Sequence, residues 1–249
     1  MDSIRKNETP SIIIGKNAVM EALKSDTAVD TVYVAPGKDL GALIKLAKEK
    51  GAVVKDVDSA KLNQLAGGKN AQGVAAQVSC ANYISVQELL DISKQKGTKP
   101  FIIICDEIED PHNLGAIIRT AESAGADGII IPKRRSATLN LTVHKTSAGA
   151  ASWLPVARVP NLASAIETLK KNGVWVFGAD MDGESCYDTD LKGAVALVIG
   201  SEGFGMGRLV KEKCDGILSI PMNGKINSLN ASVAASILIY ETVRQRLNK

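Results

Sequence analysis

Three polar clusters interrupt apolar runs of the kind that form strands. Phe101–Cys105 is followed by Asp106-Glu107-Ile108-Glu109-Asp110-Pro111-His112-Asn113, with Arg119 one turn and a half further on. Val195–Ile199 is followed by Gly200-Ser201-Glu202-Gly203-Phe204-Gly205-Met206. Gly216–Ile220 is followed by Pro221-Met222-Asn223-Gly224-Lys225-Ile226-Asn227-Ser228-Leu229-Asn230-Ala231-Ser232. In an open α/β sheet, ligands bind beyond the carboxyl ends of the strands, so three such loops at one edge would build one site.

Each cluster has a chemistry and a plainer alternative. Arg119 stands among Ala116, Ile117, Ile118 and Ala121. A planar guanidinium in such company suits a phosphate, and it needs a partner if covered. Asn113 beside it reads equally as a helix cap. The glycines around Glu202 permit tight turns and close approach of backbone to a ligand, but an ordinary strand-to-helix turn has the same composition. Asn223, Asn227, Ser228, Asn230 and Ser232 crowd the start of a helix. Singly they are loop and cap residues; together they offer many donors and acceptors at a helix N-terminus, which favours an anionic group.

Other chemistries find less support. No G-x-G-x-x-G follows an early strand, and Gly203-Phe204-Gly205-Met206-Gly207 has the wrong spacing for a dinucleotide fingerprint. The phosphate-binding pattern ending in Gly-Lys-Ser/Thr is absent as well. His112 and His144 lie far apart with no G-x-S-x-G elbow, which argues against a nucleophilic triad. Cys80, Cys105, Cys186 and Cys214 form no C-x-x-C pair, so no zinc or redox motif is expected and no metal is needed.

Alternation of strand and helix must position these loops. The first eighty residues read as a compact βαβα unit, with Asn17 available to cap a first helix and a glycine-rich loop at Gly67–Gly73. Ser85–Lys99 is amphipathic and polar at its end, which fits a boundary. Beyond Pro100, strands are expected at 101–105, 128–131, 153–159, 174–179, 195–199 and 216–220. Helices are expected at about 114–123, 140–150, 162–171, 209–214 and 230–247. This is the pattern of a parallel sheet. With 249 residues and 45% hydrophobic content the chain can bury two cores, and a net charge of +3 permits RNA contact without indicating it. Lys133-Arg134-Arg135 reads as a solvated loop, or as a phosphate contact beside a nucleic-acid site. Met1–Glu8 has no apolar stretch of the signal-peptide type, and no run is long enough to span a bilayer, so a reduced cytoplasmic location with no membrane partner is expected.

At the three clusters the chain closely resembles the SpoU (TrmH-like) family of RNA 2'-O-ribose methyltransferases, in the knotted SPOUT superfamily. Asn113, Gly115 and Arg119 resemble its first motif, Ile199–Gly203 its second, and Ile220–Met222 through Ser228–Ala234 its third. The N-terminal part, with Ile14–Val19 and Gln72-Gly73-Val74, is similar to an L30e-like RNA-binding domain of the subgroup that methylates a guanosine of 23S rRNA. Relatives often carry His where this chain has Ala71, which puts RNA contact by that loop in question. The resemblance implies an α/β fold: an L30e-like domain at 1–83, a linker at 84–99, and at 100–249 a parallel sheet with a C-terminal trefoil knot. It implies S-adenosylmethionine held by Gly178, Ala179, Gly200, Ile220, Met222, Ser228 and Leu229. It implies a homodimer and catalytic roles for Asn113, Arg119, Glu202, Ser228 and Asn230. Glu202 would then position Arg119 or neighbouring amides. A tRNA substrate, a small-molecule nucleotide enzyme and a non-catalytic RNA-binding protein remain the alternatives.

Overall fold

The computed structural model describes residues 12–37, 39–226 and 228–247, in two units. The reading of Met1–Glu8 and the place of Asn227 in the third cluster fall outside them.

The first unit holds residues up to Asn82 together with Thr138–Leu141. Its elements are β1 (Ile12–Ile14), α1 (Lys16–Lys24), β2 (Val29–Val34), α2 (Gly41–Glu49), β3 (Val53–Asp56), α3 (Ser59–Leu65) and β4 (Val74–Val78). The sheet order is β1-β4-β2-β3, with β2 and β3 parallel and β4 antiparallel to both its neighbours. Val19, Leu23, Val32, Leu43 and Val74 fill its core. Asn17 does not cap α1: the cap position is Gly15, at φ +92°, with no side-chain bond. Asp58 does cap α3, accepting from the Lys61 amide at 2.7 Å. Ala71 is 2% exposed and packs with Leu62, Ala66 and Ala75. Position 71 therefore faces inward in this chain.

The second unit begins at Tyr83 and contains α4 (Val86–Lys96), β5 (Phe101–Cys105), α5 (Pro111–Ser123), β6 (Gly128–Pro132), α6 (Leu141–Thr146), β7 (Val156–Val159), α7 (Leu162–Lys171), β8 (Trp175–Ser185), β9 (Val195–Ile199), α8 (Arg208–Lys213), β10 (Gly216–Ser219) and α9 (Ala231–Leu247). Its six strands are all parallel, in the order β10-β8-β9-β5-β6-β7. Every residue of β5 and of β9 is buried, as expected of strands covered on both faces. Helices α4, α7 and α8 pack together beside one core built on Ile102, Ile104, Ile166 and Val198. Helices α5 and α9 pack against each other.

The stretch 84–99, expected as a linker, is mostly the helix α4. Ser85 opens it with a reciprocal capping box to Glu88, and Gly97 closes it in the left-handed conformation. Leu89 and Leu90 are fully buried in the second unit's core, so these residues belong to that unit. The helix expected at 86–93 within this stretch runs on to Lys96. The helix expected at 140–150 is also divided. It ends at Thr146, because Ala148 and Gly149 take φ of +51° and +86°, and a single 3-10 turn follows at Ala150–Ser152. The strand expected from Trp153 begins only at Val156; Trp153 itself is 80% exposed.

Between β9 and β5 the chain order reverses, since the strands after β5 run one way across the sheet and β9 and β8 lie on the other side. Such a switch point leaves a crevice at the carboxyl ends. The loops after β5 and β9 leave from its two sides, and the loop after β10 leads into α9. Arg246, near the end of α9, donates to Pro100 O at 2.9 Å and to Gly193 O at 2.6 Å and lies 4.8 Å from the Phe101 ring centre. These contacts fix the far end of α9 against the start of β5, which sets where the N-terminus of α9 points.

Candidate functional site

The three clusters do converge. Asp110 is the N-cap of α5, accepting from the His112 amide at 3.0 Å, and Pro111 occupies the first turn. Helix α5 thus begins three residues earlier than the apolar pattern suggests. Asn113 is not the cap; it is inside the first turn, with its amide free to reach outward. Its Nδ2 donates to Glu202 Oε1 at 3.0 Å, and its Oδ1 accepts from Asn230 Nδ2 at 3.0 Å. Asn230 Nδ2 also donates to Glu202 Oε1, and the Ala231 amide donates to the same oxygen at 3.3 Å. Asn230 Oδ1 caps α9, accepting from the amides of Ser232 at 3.0 Å and Val233 at 3.3 Å. Three expected catalytic residues, each from a different loop, form one hydrogen-bonded triangle. The negative carboxylate at the head of a 17-residue helix is favoured there by the helix dipole.

Beside the triangle lies a cavity of about 940 Å³. Ala179, Gly200, Ile220, Met222, Ser228 and Leu229 line it, as do Glu202 and Asn230. Gly178 does not line it. A side chain at 178 would meet Met206 Sδ at 2.7 Å and Cys214 Sγ at 3.2 Å, so that glycine serves packing beneath the loop. Gly200 has a sharper constraint: a Cβ there would come within 2.6 Å of Gly205 O and against the Met206 amide nitrogen. The loop after β9 therefore folds back on Gly200, closed by two Ser201–Gly205 backbone bonds of 2.9 Å each.

Two carboxylates, Asp106 at the head of the first cluster and Asp180 just beyond Ala179, shape this site. Asp106 accepts from the Gly207 amide at 2.7 Å, tying the end of the loop to the end of β5. Burial pushes the Asp106 carboxyl above its ordinary value, a shift the Gly207 bond partly offsets. Asp180, in the cavity wall, is paired with Lys211 at 2.6 Å, and that hydrogen bond first of all holds its pKa down. Phe204 and Met181, 93% and 58% exposed, add apolar surface to the same cavity. Neither pair nor either apolar side chain has a spacing signal, since each depends on how separate loops meet.

Arg119, like Gly178, is an expected site residue that does not line the cavity. It stands on α5 two turns beyond Asn113 with its side chain exposed, and makes no hydrogen bond or ion pair with any described residue. Glu202 therefore holds Asn113, Asn230 and the head of α9, and does not position Arg119 within the same chain. Ser228 lines the cavity and is exposed.

The residues present suit S-adenosylmethionine. Glycines bring backbone close, Gly200 and Ile220 line the cavity just beyond the ends of β9 and β10, Met222, Leu229 and Phe204 offer apolar contact to a flat ring, and Asp180 and Glu202 are acidic groups beside a cationic ligand.

Comparison with known proteins agrees. Residues 100–240 match the model of the SpoU rRNA Methylase family, and residues 12–84 match the model described as RNA 2'-O ribose methyltransferase substrate binding. The chain is 49% identical over 238 residues to a putative TrmH family tRNA/rRNA methyltransferase of Bacillus subtilis, covering 94% of this chain and 95% of that protein. Among solved structures, the SpoU methyltransferase AviRb of Streptomyces viridochromogenes, in complex with AdoMet, is 25% identical with a TM-score of 0.60, covering 96% of this chain and 91% of its own. An AdoMet-bound rRNA methyltransferase of Sinorhizobium meliloti is 26% identical with a TM-score of 0.59, covering 94% and 86%. A structure described by 2-OH methylation of C/U34 on tRNA is 25% identical with a TM-score of 0.56, but covers only 61% of this chain and 99% of its own. With its fold, its loop triangle and its cavity in agreement, the chain belongs to the SpoU (TrmH) family of S-adenosylmethionine-dependent RNA 2'-O-ribose methyltransferases.

Proposed function

We propose that this enzyme methylates the ribose 2'-hydroxyl of a guanosine in 23S rRNA, as a homodimer whose active site takes Arg119 from the second subunit. The observation that carries the reading is the Asn113–Glu202–Asn230 triangle at the edge of the cofactor cavity. When bound, S-adenosylmethionine supplies a methyl group on a good leaving group. The protein's tasks are then alignment and care of the hydroxyl proton. Glu202 locks the two asparagine amides, whose remaining polar atoms orient the ribose. Ser228 orders the cofactor loop or the hydroxyl itself. Arg119 positions phosphate and hydroxyl; a guanidinium with pKa above about 12 is a poor base unless its charge is compensated.

Ribosomal RNA is favoured over tRNA by the first unit. The rRNA methyltransferase of Sinorhizobium meliloti covers 94% of this chain, whereas the structure described by methylation of C/U34 on tRNA covers 61% of it. The homodimer is favoured by α9. Val233, Tyr240 and Leu247 recur at seven-residue intervals and are 46%, 50% and 76% exposed, an apolar stripe on the outer side of a helix whose other side is core. The superfamily's trefoil knot would be formed by the chain through β10 and α9, and a cytoplasmic location follows from the RNA.

The test is subunit mixing. Arg119→Ala should abolish methyl transfer while S-adenosylmethionine affinity, by calorimetry, stays within a few-fold. Glu202→Ala should also be inactive. Mixed and allowed to exchange subunits, the two should regain about a quarter of native activity, because half the dimers then carry one intact site out of two. Near-native turnover by Arg119→Ala, or no recovery on mixing, refutes the shared site.

A further inference from the structure

A second cavity, of about 550 Å³, adjoins the first and shares Ser201, Glu202 and Phe204 with it. Its remaining wall comes from Glu107, Ile108, Glu109, Asp110 and Asn113 after β5 and from Arg135 after β6. Glu202, hydrogen-bonded to Asn113, thus stands where the space for the methyl donor meets a second space of a size suited to a small ligand. A methyl acceptor seated in the second space meets the donor at that junction, where in-line transfer can bring the reacting atoms into contact. Phe204, 93% exposed, presents its ring to this space, and aromatic rings are the common platform for an unstacked base.

The polar groups here are unequal. Glu107 is held by Arg135 at 2.9 Å, and Asp110 is committed to the cap of α5. Glu109 is exposed and accepts no hydrogen bond from any described residue. An ionised carboxylate only accepts. It pairs through both oxygens with an edge that carries two adjacent donors. Guanine offers N1–H and the 2-amino group side by side; adenine and cytosine place an acceptor next to their amino group, and uracil has a single N–H between two carbonyls. We infer that this second cavity receives the base of the target nucleotide, stacked on Phe204, and that Glu109 selects guanine by accepting from its N1–H and 2-amino group. This inference rests on the ribose-methylation reading above and names the residues that choose its substrate.

The experiment uses bulk RNA from a strain deleted for this gene, the full-length enzyme and S-adenosylmethionine tritiated on the methyl group. The RNA is then digested to nucleosides and the labelled one identified. Label is expected in 2'-O-methylguanosine. Glu109→Gln, which replaces one acceptor by a donor, should lower kcat/KM for RNA by about tenfold to a hundredfold, the usual discrimination of a bidentate base contact, with S-adenosylmethionine affinity and Tm unchanged. Glu109→Asp should restore part of the loss. Label in 2'-O-methyladenosine, -cytidine or -uridine, or a Glu109→Gln enzyme within threefold of wild type, overturns this inference and leaves ribose methylation standing. No label in any ribose-methylated nucleoside overturns both.

Discussion

Gly200→Ala is the smallest change that should damage the cofactor site. The added methyl would lie within 2.6 Å of Gly205 O and against the Met206 amide nitrogen, all of it backbone. Contact between non-bonded heavy atoms is comfortable only near 3.5 Å, so the loop must retreat by roughly 1 Å. The two Ser201–Gly205 bonds, at 2.9 Å, would then lengthen beyond hydrogen-bonding range. At about 1 kcal/mol net for each, the folded-back loop becomes about 2 kcal/mol less favourable than a displaced one. S-adenosylmethionine must restore it on binding, which lowers affinity by roughly thirtyfold. Gly193→Ala serves as the control, because a Cβ there meets nothing within 4 Å. Calorimetric titration of both variants with S-adenosylmethionine decides the matter. Affinity of Gly200→Ala within threefold of wild type would refute the assignment of this loop as the cofactor wall.

Two further outcomes follow from packing and burial. Leu89→Ala should destabilise the second unit by about 2–5 kcal/mol, read by urea unfolding, because Leu89 is fully buried in that unit's core; a loss under 1 kcal/mol would return residues 84–99 to the status of a linker. Burial, with a smaller push from Asp106, raises the Cys105 thiol to about 12, and burial with Asp215 raises Cys214 to about 11. At pH 8 both lie far below those values and are almost wholly protonated, so a thiolate-specific disulfide reagent should leave both unmodified in the native protein and react with all four cysteines after denaturation; modification of Cys105 at the rate of a free thiol would contradict its position.

Much of the site was legible because its residues cluster along the chain. Asn113, Glu202 and Asn230 each follow a strand of the parallel sheet, and parallel strands send their carboxyl ends to one edge. The contacts that complete the site were not legible. Asp106 meets Gly207 across 101 residues and Asp180 meets Lys211 across 31, and neither pairing leaves a periodic mark. Gly178 and Ala179 were assigned to the cofactor through the family resemblance; β8 continues to Ser185 along β10, and the cavity wall there is Ala179, Asp180 and Met181. Arg119 was the most suggestive single residue, and it does not line the cavity of its own chain. Sequence order fixes which helix carries it; the proposed homodimer would supply the surface it serves.

The most direct measurement of the central claim is methyl transfer from tritiated S-adenosylmethionine to separated 23S rRNA and tRNA from a strain deleted for this gene, followed by mapping of 2'-O-methylated riboses. The account expects one ribose of 23S rRNA to gain the methyl group, with none gained by RNA from the parent strain. Label confined to tRNA, label on a base, or no transfer to either RNA would contradict it.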